Sequence, residues 1–204
     1  LYYVSREYDE ALANYAIAEE NGYSTRDIDY KQGFIFYRDG DYQQALEHFF
    51  DAAGDYTQNR SVLYATANAL YQRDTLGAAR GYYAELLEVL EAERRGIQNL
   101  LLEEDSQHRG LIEYLIKVQN NLGVTLQRLA QRSPENGEVS SQGLVYLEAA
   151  SEDAVNYNRN PRTGERAQSV NLAYLNMREI LYPQPEYDLQ IYTAIPKDLD
   201  DVGF

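Results

Sequence analysis

The sequence predicts an all-α chain in which antiparallel helix pairs stack into a solenoid, followed by an extended C-terminal segment. Apolar residues return at intervals of three and four along most of the chain, as on one face of an amphipathic helix. Small and aromatic residues also recur with a period of 34 residues, which is typical of a helical repeat array. The segment 183–204, in contrast, contains four proline or glycine residues and no helical period, so it is predicted to be extended.

The repeat is clearest in the segment GDYQQALEHFFDAA, residues 40–53, where Phe49 follows Ala45 by four positions. The same order of aromatic or apolar, small, aromatic, and small or apolar residues occurs three times in register. The three sets are Tyr8, Ala11, Tyr15 and Ala18; Tyr42, Ala45, Phe49 and Ala52; and Leu76, Ala79, Tyr83 and Leu86. Where two helices cross, a small residue lets the backbones approach and a neighbouring ring fills the adjoining hole. We therefore predict that these residues stabilise the fold and bind no ligand.

The residues from Gly33 to Ala52 resemble the tetratricopeptide repeat (TPR) family. That family has a small residue on a first helix, Gly-x-Tyr at the turn, and Ala and Phe four apart on a second helix. The chain departs from the pattern at two positions. Asp29 stands where the family usually has Trp or Leu, and Gln32 stands where it usually has Leu. The resemblance implies a right-handed superhelix with a concave groove that holds extended or helical peptides. The residues that match are Gly33, Phe36, Gly40, Tyr42, Ala45, Phe49 and Ala52.

Local signals mark where the first helices begin and end. Asn21 and Gly22 form a stop signal, Ser24 is a suitable N-cap, and Thr75 is a suitable cap for a helix that begins at residue 76. Helices are predicted near 7–20, 25–38, 42–53 and 58–73, and from 76 onward.

Beyond the third set, which ends at Leu86, the 34-residue register is lost, and the helix from residue 76 is predicted to reach about Glu103. Another is predicted to start at Asp105 or Ser106. The motif returns in this helix and in its partner, after a turn expanded by about eight residues. The residues that restore it are Leu122, Gly123, Leu126, Gly143, Leu147 and Ala150.

Two regions are predicted: a TPR-like array at 1–182 and an extended segment at 183–204. Because only about six residues precede the helix that carries Tyr8, we expect the chain to begin inside a repeat, as the C-terminal array of a larger TPR protein. The extended segment is expected to lie along its own chain or a neighbour's. The array comprises a truncated first repeat, repeats near 25–57 and 58–104, a divergent long-helix repeat at 106–158 and a closing helix at 165–182.

Composition excludes several classes of function. The formal net charge of −15, from 33 acidic and 18 basic residues, would repel nucleic acid and anionic membranes. Apolar runs are far shorter than the roughly 20 residues that cross a bilayer. The chain has no cysteine, and neither His48 nor His108 has a partner at zinc-site spacing. No phosphate loop or hydrolase motif occurs, so we predict no enzyme activity, no metal and no cofactor.

The TPR resemblance also implies a partner-binding groove. Its residues would share one face of each first helix at spacings of three and four. Asn68 and Asn120 are predicted to hydrogen-bond a peptide backbone, and tyrosine and arginine are enriched at binding hot spots. In the alternative interpretation the tyrosines pack against each other or under the C-terminal segment. The predicted groove residues are Tyr30, Phe34, Tyr37, Arg38, Tyr64, Asn68, Tyr71, Gln72, Asn120, Val124, Gln127 and Arg128.

The leading hypothesis is a non-enzymatic scaffold that binds a protein or peptide partner within a larger assembly, with self-association through the long helices or the C-terminal segment as a further option. The composition favours a bacterial envelope or periplasmic setting, and a motor-like assembly is one candidate. The alternative is a transport or ligand-binding accessory protein with an enclosed pocket inside the superhelix. An enzyme on the same scaffold is disfavoured, since no catalytic constellation is visible.

Overall fold

A computed structural model describes residues 2–54, 59–99, 106–133, 135, 137–159, 172–183 and 188–199, and every regular element in it is an α-helix. The all-α prediction is therefore confirmed. Contacts divide the chain into two compact units, unit 1 (Leu1–Tyr82 and Ala194–Phe204) and unit 2 (Tyr83–Thr193). The helices are α1 Tyr2–Ser5, α2 Tyr8–Glu20, α3 Arg26–Asp39, α4 Tyr42–Ala53, α5 Arg60–Gln72, α6 Leu76–Asn99, α7 Ser106–Arg132, α8 Gly137–Arg159 and α9 Leu172–Leu181.

In unit 1, consecutive helices pack against each other, and α3 and α4 run antiparallel. At one end of this pair Arg26 Nε donates to Ala52 O at 2.7 Å, and at the other the Tyr37 and Tyr42 rings lie 5.4 Å apart.

The α3–α4 crossing leaves no room for a side chain at Gly33. A Cβ there would lie 2.6 Å from the Phe49 ring and 3.2 Å from Ala45 O. Ala45 and Phe49 are themselves fully buried. The predicted close contact at Gly33 and Ala45, with Phe49 as the filler, is confirmed.

The ends of the unit 1 helices lie within two residues of the predicted positions, and α4 has the predicted bounds. Gly40 adopts a φ of 84° where α3 ends, which lets Asp41 N donate back to Phe36 O at 2.9 Å. The predicted N-cap at Ser24 is wrong. Thr25 caps α3, because its hydroxyl accepts from Ile28 N, and α3 begins one residue later than predicted.

In unit 2, α7 and α8 form the second antiparallel pair. A Cβ on Gly123 would lie 2.6 Å from Leu147 Cγ and 2.9 Å from Gly143 O, so this crossing is tighter than the one at Gly33. The Arg94 guanidinium bonds both carboxylate oxygens of Asp153 at 3.1 Å and joins α6 to α8. The close contact predicted from the motif is thus present here too.

Two predicted boundaries in unit 2 fall partly outside the described residues. The end of α6 near residue 103 lies in 100–105, and the first part of the closing helix lies in 160–171. Where the structure describes it, the closing helix is α9. Helix α8 begins at Gly137, six residues before the predicted motif residue Gly143.

Among the helices described here, none combines the length and apolar character required to cross a bilayer.

Candidate functional site

The C-terminal segment 188–199, termed the tail below, has neither helix nor strand, as predicted. It lies along its own chain, and Ile191 and Ile195 are buried there. Residues 188–193 belong to unit 2 and residues 194–199 to unit 1, so each half of the tail contacts helices of its own unit.

In unit 2 the backbone of Tyr192 is bound at both of its polar groups by one side chain. Tyr192 N donates to Asn121 Oδ1 at 2.7 Å, and Asn121 Nδ2 donates to Tyr192 O at 3.0 Å. The hydroxyl of Tyr83 also accepts from Asn121 Nδ2, at 3.3 Å.

Asn176 on α9 binds Gln190 in the same way. Gln190 N donates to Asn176 Oδ1 at 3.0 Å, and Asn176 Nδ2 donates to Gln190 O at 2.8 Å. Asn120 connects the two sites, because it donates to Gln190 O at 3.1 Å and accepts from Asn176 Nδ2 at 2.8 Å. Asn120, Asn121 and Asn176, termed the asparagine clamp below, have no solvent exposure.

The chemistry of the clamp follows from the geometry of an extended chain. The N–H and C=O groups of alternate residues point towards the same side, so Gln190 and Tyr192 present theirs together. A carboxamide carries both a donor and an acceptor, so it pairs with both groups of one residue. The clamp therefore takes the place of a neighbouring β-strand and binds polypeptide backbone.

In unit 1 the tail is bound by Tyr3, Tyr30 and Lys31, termed the cradle below. Tyr30 Oη donates to Pro196 O at 2.8 Å, and Tyr3 Oη donates to Lys197 O. Lys31 Nζ lies 3.6 Å from a carboxylate oxygen of Asp198. These bonds reach backbone carbonyls and one charged side chain.

Aromatic rings surround the cradle. Tyr3 packs edge-on against Tyr8 and Phe34, with ring centroids 5.8 and 5.9 Å away. Arg38 covers the Tyr8 ring at 4.0 Å, and its guanidinium bonds Asp39 at 2.7 Å. Phe34 and Tyr30 are both buried. The tail is thus bound in unit 1 over a largely aromatic surface.

Burial raises the pKa of Tyr3 above its ordinary value, and the Asp198 carboxylate adds to the shift. At Lys31 burial lowers the pKa, but the hydrogen bond to Asp27 and the charges of Asp27 and Asp198 outweigh it and raise the pKa overall. Asp27 lies 2.6 Å from Lys31 Nζ. The cradle accordingly contains a neutral phenol and a firmly protonated amine over the physiological range.

The clamp and the cradle occupy equivalent places relative to the close-contact glycine of their helix. The same step of 90 residues relates Gly33 to Gly123, Tyr30 to Asn120, and Lys31 to Asn121. The tail residues that these positions contact are also offset by a constant six residues. Asn120 contacts Gln190 and Tyr30 contacts Pro196. Asn121 contacts Tyr192 and Lys31 contacts Asp198. Two first helices thus bind the tail with the same pair of positions and different residue types.

The other predicted groove residues divide into several groups. Tyr37 is hydrogen-bonded to Gln72, and burial followed by the nearby Tyr42 raises the pKa of Tyr37. Gln127 donates to Ser140 O at 2.7 Å and accepts from Ser140 Oγ at 3.0 Å, so its amide joins α7 to α8. Arg128 is partly exposed. The predicted residues that are buried in α5 and α7 are Tyr64, Asn68, Tyr71 and Val124.

The sequence interpretation missed four residues that bind the tail: Tyr3, Lys31, Asn121 and Asn176. Lys31 and Asn121 directly follow predicted positions, so extending each predicted set by one residue would have included them. Asn176 lies in the predicted closing helix, and the only sequence signal of its role is a polar amide among apolar neighbours. Tyr3 lies in α1, a single turn that was considered too short to contribute a helix.

His48 packs against an aromatic ring. The His48 ring stacks on Phe36 with centroids 5.3 Å apart, while the side chain of His108 is outside the described residues. Within the part of the chain that the structure describes, no group of three or more His, Cys, Asp or Glu residues could hold a metal ion.

An open cleft of about 530 Å³ occurs in unit 2, and no predicted groove residue lines it. It is not the enclosed pocket among Tyr30, Tyr64 and Asn68 that an accessory protein would require. The cleft is lined by Ala84, Leu87, Glu88, Glu91, Arg95 and Tyr146.

The chain matches no model of a known protein family, and no curated protein matches it in sequence. Inferences about its function therefore depend on its own residues and geometry.

Proposed function

We propose that this protein is a TPR-like repeat scaffold that binds protein partners by holding extended polypeptide against the first helices α3, α5 and α7. The observation that carries the proposal is the asparagine clamp. Its carboxamides bind the N–H and C=O groups of Gln190 and Tyr192, and these groups are common to every polypeptide.

The recurrence of the contact adds support. A first helix in each unit binds the tail from equivalent positions, Tyr30 and Lys31 in one and Asn120 and Asn121 in the other. Helical repeats bind long segments through equivalent positions of successive repeats. Helix α5 carries Tyr64 and Ala65 at the corresponding places, 34 residues after Tyr30 and Lys31.

The chemistry of the surface favours a protein partner. The net charge of −15 opposes nucleic acid, and the inner positions carry phenols and carboxamides, which pair with peptide groups. The proposed role is non-enzymatic.

The test is selection of extended peptides on the full-length chain by display, followed by hydrogen–deuterium exchange. We expect bound peptides to slow exchange in α3, α5 and α7 more than in α4 and α8. Arg128→Ala, on the inner face of α7, should weaken binding severalfold. Arg80→Ala, at an exposed position on α6, is the matched control and should leave affinity unchanged.

The scaffold proposal is wrong if display yields no specific peptides. It is also wrong if protection appears on α4 and α8 and Arg80→Ala weakens binding as much as Arg128→Ala.

A further inference from the structure

The two halves of the tail are bound with different completeness. Gln190 and Tyr192 are each held at both N–H and C=O, and Asn120 bonds Asn176 at 2.8 Å, so the clamp also joins α7 to α9. The bonds from the cradle to Pro196 and Lys197 reach carbonyl oxygens only. The 188–193 half is thus built into unit 2, whereas the 194–199 half is attached more lightly.

The ion pair in the cradle is also weak. Lys31 Nζ is 3.6 Å from Asp198 but 2.6 Å from Asp27, and the Asp198 side chain is 65% exposed. A partly exposed pair of this length contributes little to binding. If Asp198 departs, Lys31 keeps its bond to Asp27.

We propose that residues 194–199 form an exchangeable segment, and that the cradle binds in its place an extended segment of a partner protein with the same chemistry. This inference rests on the proposed scaffold function. The required pattern is a buried aliphatic side chain as at Ile195, two successive carbonyl acceptors as at Pro196 and Lys197, and then a carboxylate as at Asp198.

Each part of this pattern corresponds to a group of the cradle. Ile195 is 9% exposed and supplies apolar contact area. Tyr30 and Tyr3 donate to two consecutive carbonyls, which fixes the direction and register of the bound chain. Lys31 lies beside the next residue and favours a carboxylate there.

The partner is a different protein and not the tail of a second copy. A tethered segment competes at an effective concentration on the order of millimolar. A second copy presents identical chemistry at a far lower concentration and cannot displace the attached tail. A partner segment can, provided that it makes additional contacts on the scaffold.

The probe is a labelled synthetic peptide with the sequence TAIPKDL of residues 193–199, titrated by fluorescence anisotropy into the full-length chain. The double variant Ile195→Ser, Asp198→Asn weakens the binding of the chain's own residues 194–199 to the cradle. The peptide should therefore bind this variant at least tenfold more tightly than it binds the unaltered chain. Asp198→Asn alone removes one exposed charge, and we expect about a threefold gain. Val145→Ser, at an exposed site on α8, is the control and should produce no gain.

A peptide with Asn in place of the Asp should bind about threefold more weakly, and Lys31→Ala should abolish this difference. The proposal is overturned if the peptide binds the folded variants no better than the unaltered chain, or if the variants form tail-exchanged dimers. The display-selected peptides are run on the same variants. If they bind and TAIPKDL does not, exchange fails and the scaffold function stands; if neither binds, both fail.

Discussion

Unit 2 and unit 1 bind successive halves of one tail from equivalent helix positions, but with different chemistry. The asparagine clamp is neutral and buried, and it pairs with both polar groups of Gln190 and Tyr192. The cradle uses two phenols and an amine, and it contacts carbonyls and the Asp198 carboxylate. The residue types placed at one repeat position therefore decide how tightly a segment is held and whether pH and salt affect it.

Removal of the clamp should have the largest effect. Asn121→Ala removes both hydrogen bonds to the backbone of Tyr192 and the bond from Asn120, and we expect a loss of about 3 kcal/mol in the free energy of unfolding. Urea denaturation followed by circular dichroism measures this. Asn14→Ala, whose amide bonds Glu10 O in an exposed place, is the control and should cost less than about 0.5 kcal/mol. Equal losses in the two variants would show that the buried hydrogen bonds of the clamp stabilise the fold no more than an exposed one does.

The two close crossings should differ in their tolerance of a methyl group. Gly123→Ala places its Cβ against the backbone oxygen of Gly143, which cannot rotate away, so a loss of about 2–3 kcal/mol is expected. Gly33→Ala meets mainly the Phe49 ring, which can shift, and should lose about 1–2 kcal/mol. Gly81→Ala in α6 meets no atom within 4 Å and should gain up to about 1 kcal/mol. Urea denaturation orders the three variants, and a larger loss at Gly33 would reverse the comparison.

Within the cradle, the Tyr30 hydroxyl should contribute more than the ion pair. Tyr30→Phe keeps the buried ring and removes the bond to Pro196 O, for an expected loss of about 1 kcal/mol. Amide exchange near residue 195 should accelerate while exchange at 190 and 192 stays unchanged. Acceleration in both halves would mean that the tail is released as one piece.

Alkaline pH should loosen the cradle and spare the clamp. The pKa of Tyr3 is raised above 10.0 and that of Lys31 above 10.5, so the folded chain binds these protons more tightly than the unfolded chain. Their contribution is therefore fully present below pH 10 and is lost as the pH rises through the raised values. Carboxamides do not titrate, so the clamp has no corresponding loss.

Because the chain has no cysteine, a spin label can be attached at a single introduced site in either half of the tail. Label at Leu199→Cys should become mobile above pH 10, whereas label at Leu189→Cys should not. Simultaneous mobilisation of both labels would contradict the division between clamp and cradle.

The smallest effect is expected for Lys31→Ala. Its ion pair with Asp198 is long and partly exposed, so the loss should be about 0.5 kcal/mol. The loss should shrink further in 1 M salt, where screening acts over roughly 3 Å. A salt-independent loss above about 1 kcal/mol would show that the contact of Lys31 Nζ with the Tyr3 ring, 5.5 Å from its centroid, matters more than the ion pair.

The features that the sequence predicted are local ones. Residue spacing located the helices and the contacts at Gly33 and Gly123, because a close crossing needs a small residue wherever it occurs. The clamp is different, since its asparagines come from two helices, α7 and α9. The tail residues that it binds lie 70 and 71 positions after their partners on α7. Nothing in the neighbourhood of any of these residues specifies the others, so only the folded chain brings them together.

One consequence of the clamp concerns how the tail can change during evolution. At Gln190 it binds backbone atoms alone, so almost any amino acid there preserves the contact, whereas proline, which lacks the N–H, removes a bond to Asn176. At 192 the ring adds one further bond, from Leu172 N to the tyrosine hydroxyl. The residue at position 190 can therefore vary while the tail backbone stays bound there, and this contact depends on the asparagines of α7 and α9.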